Sequence, residues 1–243
     1  MQERTATVRE RILKAAADLL AQGGREAAST RAISAAANVQ VPTLYRQFGD
    51  LQGLLDAAAH ETFAAYVHDK VLHRPSDDPI EDLRRGWDAH VAFGLANPAV
   101  YVLIQGDPLT RTATSSARDG RAVLHELVTR VAQAGRLKVS VSLAVQLMSA
   151  AGEGLTRSLI GTPFEARDPH LSVIMREAVL AAITITPPAS APSEEAHAQR
   201  VAARAVALQA VLPETAGTLS SGEQHLLNEW LDRLATLSFP STP

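Results

Sequence analysis

Between Ser29 and Phe48 the sequence reads STRAISAAANVQVPTLYRQF, and its polar residues suit recognition of nucleic acid without covalent chemistry. Arg31 and Arg46 carry guanidinium forks, Thr30, Thr43 and Tyr45 carry hydroxyls, and Gln47 carries an amide. All of these fit phosphate oxygens and base edges, and Val41 and Pro42 add apolar surface beside them. None of these side chains is needed to fill a core. The spacing predicts two short helices joined by a tight turn, with Ile33, Ala36, Val39 and Leu44 at the buried positions. The outer face of the second helix is then left for a DNA major groove.

The elements that must hold this pair are also readable. Ser29 can cap the first helix by accepting from an otherwise unpaired backbone N–H. The residue after Ala37 has to tolerate positive φ, and Asn38 is the best choice after glycine. Pro42 falls in the first turn of the second helix, where its missing N–H costs nothing. Upstream, Thr7 and Glu10 form a capping box that opens a helix with the stripe Val8, Ile12, Ala16, Leu19 and Leu20. Gly23-Gly24 ends that helix. Downstream, Asp50 caps a longer helix carrying Leu54, Leu55, Ala58 and Phe63.

From about Arg9 to Phe63 the chain resembles the DNA-binding domain of the TetR family of bacterial repressors. The residues that carry the resemblance are Ala16, Leu19, Gly24, Thr30, Arg31, Ile33, Ala36, Val39, Pro42-Thr43-Leu44-Tyr45, Phe48 and Leu54-Leu55, and TLYRQF is the most specific piece. The resemblance implies that Thr30, Arg31, Val41, Pro42, Thr43, Tyr45 and Gln47 face DNA, with Tyr45 and Thr43 on phosphates and Val41, Pro42 and Arg31 nearest the bases. Four positions depart from the family pattern. Asn38 replaces the turn glycine, Ser34 a small alanine, and Gln40 the usual serine cap; Leu51 stands where a lysine commonly reaches a phosphate.

Composition fits a two-part, all-α protein. The 243 residues are 46% hydrophobic and only 4% aromatic, which favours helices packed closely on one another. No apolar run reaches the roughly 20 residues that span a bilayer, no signal-peptide core opens the chain, and cysteine is absent. A cytoplasmic setting without membrane is expected. The net charge of −3 divides unevenly: residues 1–55 hold seven basic and five acidic side chains, leaving −5 for the remainder. The basic end lies where phosphate would be met. So small an excess implies weak non-specific binding, so tight binding requires two copies on one duplex.

The DNA-binding domain is expected over residues 1–48 and a helical ligand-binding and dimerisation domain over 49–185. The fourth helix should reach Leu72, with a loop from Arg74 to Pro79. A fifth helix carries Ile80, Leu83, Trp87, Val91 and Gly94, a short sixth lies between Asn97-Pro98 and Asp107-Pro108, and a loop runs from Thr110 to Ser116. The seventh helix shows Val123, Leu127, Val131 and Ala134, the eighth spans roughly Val141 to Ile160, and the ninth roughly Pro169 to Ile185. TPPASAPS at 186–193 reads as a linker. Two amphipathic helices follow within 194–243, the second opened by a capping box from Ser220 to Glu223, and their stripes require them to dock, on this bundle or across a dimer.

The family resemblance implies a homodimer through the eighth and ninth helices. Val141, Val145, Met148, Gly152, Leu155 and Leu159 form one candidate stripe and Leu171, Ile174, Ala178, Ala182 and Ile185 another; each suits an interface or an internal core. It also implies a small-molecule effector among helices four to eight. Polar residues interrupting apolar faces are the candidates there: Trp87, His90, Tyr101, Gln105, Gln146 and Glu153, with Arg157 on the same face as Glu153. A core histidine and an ordinary i,i+4 pair are the simpler alternatives for His90 and for Glu153 with Arg157. No catalytic motif, metal-ligand spacing or cofactor loop is present, so neither an enzyme nor a bound cofactor or metal is expected. The expected role is a TetR-like one-component repressor on a palindromic operator, released by its effector. The alternative is a helical protein-interaction adaptor that has lost DNA binding.

Overall fold

A computed structural model describes residues 7–70, 76–105, 115–185, 194–215 and 219–236. The described residues form eleven α-helices: α1 Val8–Ala27, α2 Thr30–Ala37, α3 Val41–Phe48, α4 Leu51–Lys70, α5 Pro79–Ala96, α6 Pro98–Gln105, α7 Ser115–Gln133, α8 Val141–Gly161, α9 Leu171–Ile183, α10 Glu194–Val211 and α11 Ser221–Ala235. The chain is all-α. Among the described residues the one extended pairing is an isolated antiparallel bridge between Leu137 and Thr184. The linker expected at 186–193 and the fourth helix's expected end at Leu72 lie outside the described residues.

Helix boundaries follow the capping chemistry. Thr7 and Glu10 complete the capping box of α1, with Glu10 N–H donating to Thr7 Oγ1 at 3.2 Å and Thr7 N–H to Glu10 Oε2 at 2.8 Å. Ser220 and Glu223 repeat it at α11. Gly23 and Gly24 leave helical geometry, and Gly24 sits at φ +65°, ψ −158°, a region open essentially to glycine alone. One short turn, Arg25–Ala27, resumes after them. Four expected boundaries shift. Pro79 is the first residue of α5 because Asp78 Oδ1 caps the Ile80 N–H at 3.0 Å, and a proline at that position has no N–H to waste. Ser115 and Ser116 belong to α7. The ninth helix starts at Leu171, since Asp168 Oδ1 holds the His170 N–H in a turn, and it stops at Ile183, where Thr184 turns extended to bridge Leu137.

Two compact units result. The first comprises Met1–Arg74, Ala89–Gly120 and Leu159–Gly161. Its core gathers Ile12, Leu13, Ala16 and Leu20 of α1, Ile33 and Ala37 of α2, Leu44 of α3, and Leu54, Leu55 and Ala58 of α4. Phe93 of α5 and Val100, Tyr101 and Ile104 of α6 join the same cluster. α1 buries a broad arc because α2, α4 and α6 all pack on it. Aromatic edges close the far end, with Phe63 and Tyr66 against Phe93 at centroid distances of 5.4 and 5.0 Å. Ala36, expected inside, is exposed, and Ala37 is buried in its place. At 100° per residue Ala37 lies a full turn from Ile33 on the inward face, whereas Ala36 has rotated out.

The second unit comprises Pro75–Asp88, Arg121–Ser158 and Thr162–Pro243. Charged bonds tie its helices together. Asp82 of α5 is buried and accepts from the Ser76 N–H (3.0 Å) and hydroxyl (2.7 Å), from Arg130 of α7 (2.6 Å) and from Arg85. Arg84 donates to Glu177 of α9 at 3.0 Å, and Arg176 of α9 reaches Asp88 at 2.6 Å. Trp87 donates its indole N–H to Ser172 at 3.1 Å. Of the expected α8 stripe, Val145, Met148, Gly152 and Leu155 are buried within the single chain and so are core here, Val141 is half-buried, and Leu159 is buried but belongs to the first unit. The apolar surface that α8 leaves open is Leu147, Ala150 and Gly154. On α9 the second stripe is open: Leu171, Ile174, Ala178 and Ala182 are all exposed, Ile174 by 64%.

Candidate nucleic-acid interface

The presenting scaffold is built from α2, its turn, and α3. Ser29 Oγ accepts from the Ala32 N–H at 3.3 Å and opens α2. Asn38 closes it in the left-handed region at φ 51°, ψ 54°, the single non-glycine residue with positive φ among those described. Its N–H and that of Val39 return to Ala35 and Ser34 carbonyls, so the turn leaves few backbone groups unpaired. α3 starts without a side-chain cap from Gln40, and Pro42 fills its second position, where no intrahelical N–H bond is lost. Leu44, 3% exposed, pins α3 to the core.

Placed this way, α3 turns Val41, Pro42, Tyr45 and Arg46 outward on the arc away from Leu44, with Tyr45 47% exposed. Gln47 is exposed on the flank and Thr43 half-buried there. On α2, Arg31 is exposed and Thr30 half-buried at the first turn. The carboxyl end of α3 is fixed by close backbone approach. A Cβ on Gly53 would come within 2.6 Å of the Phe48 carbonyl oxygen, so the first turn of α4 sits directly on the end of α3. Asp50 Oδ1 caps that turn through the Gly53 N–H at 2.7 Å. Leu51 is half-buried and packs against the core cluster.

Arginines without carboxylate partners border this surface. Among the described residues Arg9, Arg11, Arg25, Arg31 and Arg46 make no ion pair, whereas in the second unit the arginines are mixed: Arg84, Arg85, Arg130, Arg136, Arg176 and Arg233 each reach a carboxylate and Arg121, Arg157, Arg167, Arg200 and Arg204 do not. Two of the unpaired set escape sequence reasoning. The Arg9 guanidinium lies 4.8 Å from the Phe48 ring centroid, and Arg25 Nη1 donates to Gln52 Oε1 at 2.7 Å. Sequence separations of 39 and 27 residues hide both contacts.

The six effector candidates are divided between the two units. In the first, His90 Nε2 and Tyr101 Oη lie 2.9 Å apart with their rings edge to face, and Gln105 is half-buried one turn beyond Tyr101. In the second, Trp87 is buried and bonded to Ser172. Gln146 is exposed and donates to Ser142 on its own helix. Glu153 is half-buried; burial raises its carboxyl pKa, and the Arg121 and Arg157 charges pull it back in part. Of these six, the structure brings His90 and Tyr101 into direct contact with each other.

A capped helix pair closed by a left-handed asparagine, with its second helix held outward by one leucine, defines a helix-turn-helix DNA-binding protein. Residues 12–58 match the family model for bacterial regulatory proteins of the tetR family, so the chain carries a domain similar to the DNA-binding domain of those regulators. Solved structures share the fold. A protein of unknown function from Rhodococcus sp. RHA1 superposes with a TM-score of 0.63 at 18% identity, over 76% of this chain and all of its own. A TetR-family transcriptional regulator from Vibrio parahaemolyticus gives 0.56 at 23% identity, over 74% of this chain and all of its own. A single-substitution TetR variant from Acinetobacter baumannii AYE, solved in complex with minocycline, gives 0.54 at 18% identity, over 70% of this chain and 93% of its own. No curated protein matches the chain.

Proposed function

We propose that the protein is a homodimeric, one-component repressor that binds a palindromic operator and leaves it when a small molecule binds. The observation that carries this reading is the outward face of α3 flanked by arginines without carboxylate partners. Such charge is available to phosphate without first breaking an ion pair. In this reading Val41, Pro42 and Arg31 meet bases, and Thr30, Thr43, Tyr45, Arg46 and Gln47 meet the backbone and groove edges. By role, residues 1–48 bind DNA, 49–185 dimerise and take up the effector, and 194–243 dock as a helical hairpin. No described helix is long and apolar enough to cross a membrane, which fits a cytoplasmic regulator.

Dimerisation rests on the open apolar faces of α9 (Leu171, Ile174, Ala178, Ala182) and α8 (Leu147, Ala150, Gly154). Small residues at both let helices approach closely. The candidates for effector contact are His90, Tyr101 and Gln105 in the first unit and, separately, Trp87, Gln146 and Glu153 in the second, and a protein of the same fold is solved in complex with minocycline. Effector binding that moves α4 changes the separation of the two α3 helices and weakens the operator complex.

The test is duplex selection from a random pool, followed by fluorescence anisotropy across a salt series. An inverted-repeat duplex with log K falling linearly in log salt is expected. Binding that ignores salt, or no selected duplex at all, favours the adaptor. An effector that weakens the operator complex must itself be weakened by operator to the same factor.

A further inference from the structure

We infer that α1 is part of the operator-contact surface, through Arg9 and Arg25, two cations held ready by neutral partners at the carboxyl end of α3. This rests on the DNA-binding reading and extends the contact surface beyond the helix pair.

Arg9 carries the inference furthest. Its guanidinium lies over the Phe48 ring at 4.8 Å, within cation–π range. Phe48 follows Tyr45 by one turn and Val41 by two, so the three lie on one row along α3. The outward end of that row is the exposed face of Val41 and Tyr45. An aromatic face fixes where the guanidinium lies without neutralising it, so all five of its N–H donors keep their charge for an incoming anion. Arg25 is held in a comparable way. Its Nη1 is bonded to the Gln52 amide oxygen, and Gln52 is braced in turn by Asp56 at 2.8 Å. Gln52 belongs to the first turn of α4, which Gly53 seats against the Phe48 carbonyl. That turn offers no lysine: position 51 is a leucine packed inward. Arg25 brings a positive charge to the place from another helix.

A purely structural role fits less well. The arginines that tie separate elements together here, Arg84, Arg130, Arg136 and Arg176, end on carboxylates, whereas Arg167, held by the Thr162 carbonyl and the Phe164 ring, braces only its own loop. Arg9 and Arg25 are anchored instead by a ring and an amide. The anchors reduce the side-chain freedom lost on binding, and the charge is left for phosphate. Contacts of this type read no sequence and act on affinity and its salt dependence.

The experiment uses the full chain and the tightest duplex it selects from a random pool, beside a scrambled duplex of the same length. Arg9→Gln and Arg25→Gln should each lower the slope of log K against log salt by about one, and the double variant by about two, with the selected-to-scrambled ratio unchanged. Arg9→Lys and Arg25→Lys should restore most of the slope. Arg204→Gln, which removes an exposed arginine of α10, should leave it unchanged. Should the glutamine variants fold poorly, Gln52→Glu gives Arg25 a carboxylate partner with Arg25 itself intact, and should lower the slope likewise. A double variant with the wild-type slope overturns the inference while leaving the repressor reading standing, as does an equal loss in Arg204→Gln. A wild-type chain that selects no duplex overturns both.

Discussion

Asp82 shows how a single buried charge is made tolerable. Burial alone drives its carboxyl pKa upward, yet the Ser76 hydroxyl and N–H, Arg85 and Arg130 together outweigh that and lower it to about 2. The folded value lies below the roughly 3.9 of an unfolded aspartate, so the group stabilises the fold above about pH 4. That share fades as pH falls toward 2 and is gone below it, amounting to about 2 kcal/mol. Asp82→Asn should therefore lose stability at pH 7, and its thermal midpoint should change less than the wild type's between pH 4 and pH 2. Equal acid sensitivity in the two proteins would mean that another carboxylate governs that window. Ser34 is the opposite case. Its hydroxyl is buried on α2 and has no hydrogen-bond partner, so Ser34→Ala removes an unsatisfied group and little volume. A gain of about 1 kcal/mol in denaturant unfolding is expected, with DNA binding unchanged.

At the scale of elements, α3 depends on the first turn of α4. Gly53→Ala would set a Cβ 2.6 Å from the Phe48 carbonyl oxygen, a backbone atom that cannot yield unless the end of α3 moves. A destabilisation of about 1–3 kcal/mol is expected in urea unfolding, with weaker operator binding because α3 carries the contact face. Urea curves that superimpose on the wild type would show that the junction gives way freely. Gly53 also marks where the sequence stops being informative. Local chemistry was legible: the Thr7 and Ser220 capping boxes, the Ser29 and Asp50 caps and the left-handed Asn38 all involve partners within a few residues. Tertiary contacts were not, and they include Gly53 against Phe48, Arg9 on Phe48 and Arg25 on Gln52. The same limit explains α8. A stripe of apolar and small residues looks alike whether it meets its own chain or another, and packing alone turned Val145, Met148 and Leu155 inward.

For the whole molecule, the weak charge of the DNA-binding end favours the proposed second copy. A head with an excess of only two positive charges binds a duplex weakly alone, so in the proposed dimer tight binding comes from two heads linked at a fixed separation. The open face of α9 is the surface proposed for that link, and Ile174, 64% exposed in the single chain, is its most prominent side chain. Ile174→Asp places a charge on that face without disturbing the monomer's core. Sedimentation velocity should then show a shift from dimer to monomer at micromolar protein, with the far-ultraviolet helical signal kept. Operator affinity should fall by about two orders of magnitude or more as the linked pair is lost, while binding to a single half-site stays near the wild-type value. If the variant still sediments as a dimer and grips the palindrome as before, the two copies join elsewhere. The exposed Leu226, Trp230 and Leu234 of α11 would be the next surface to alter.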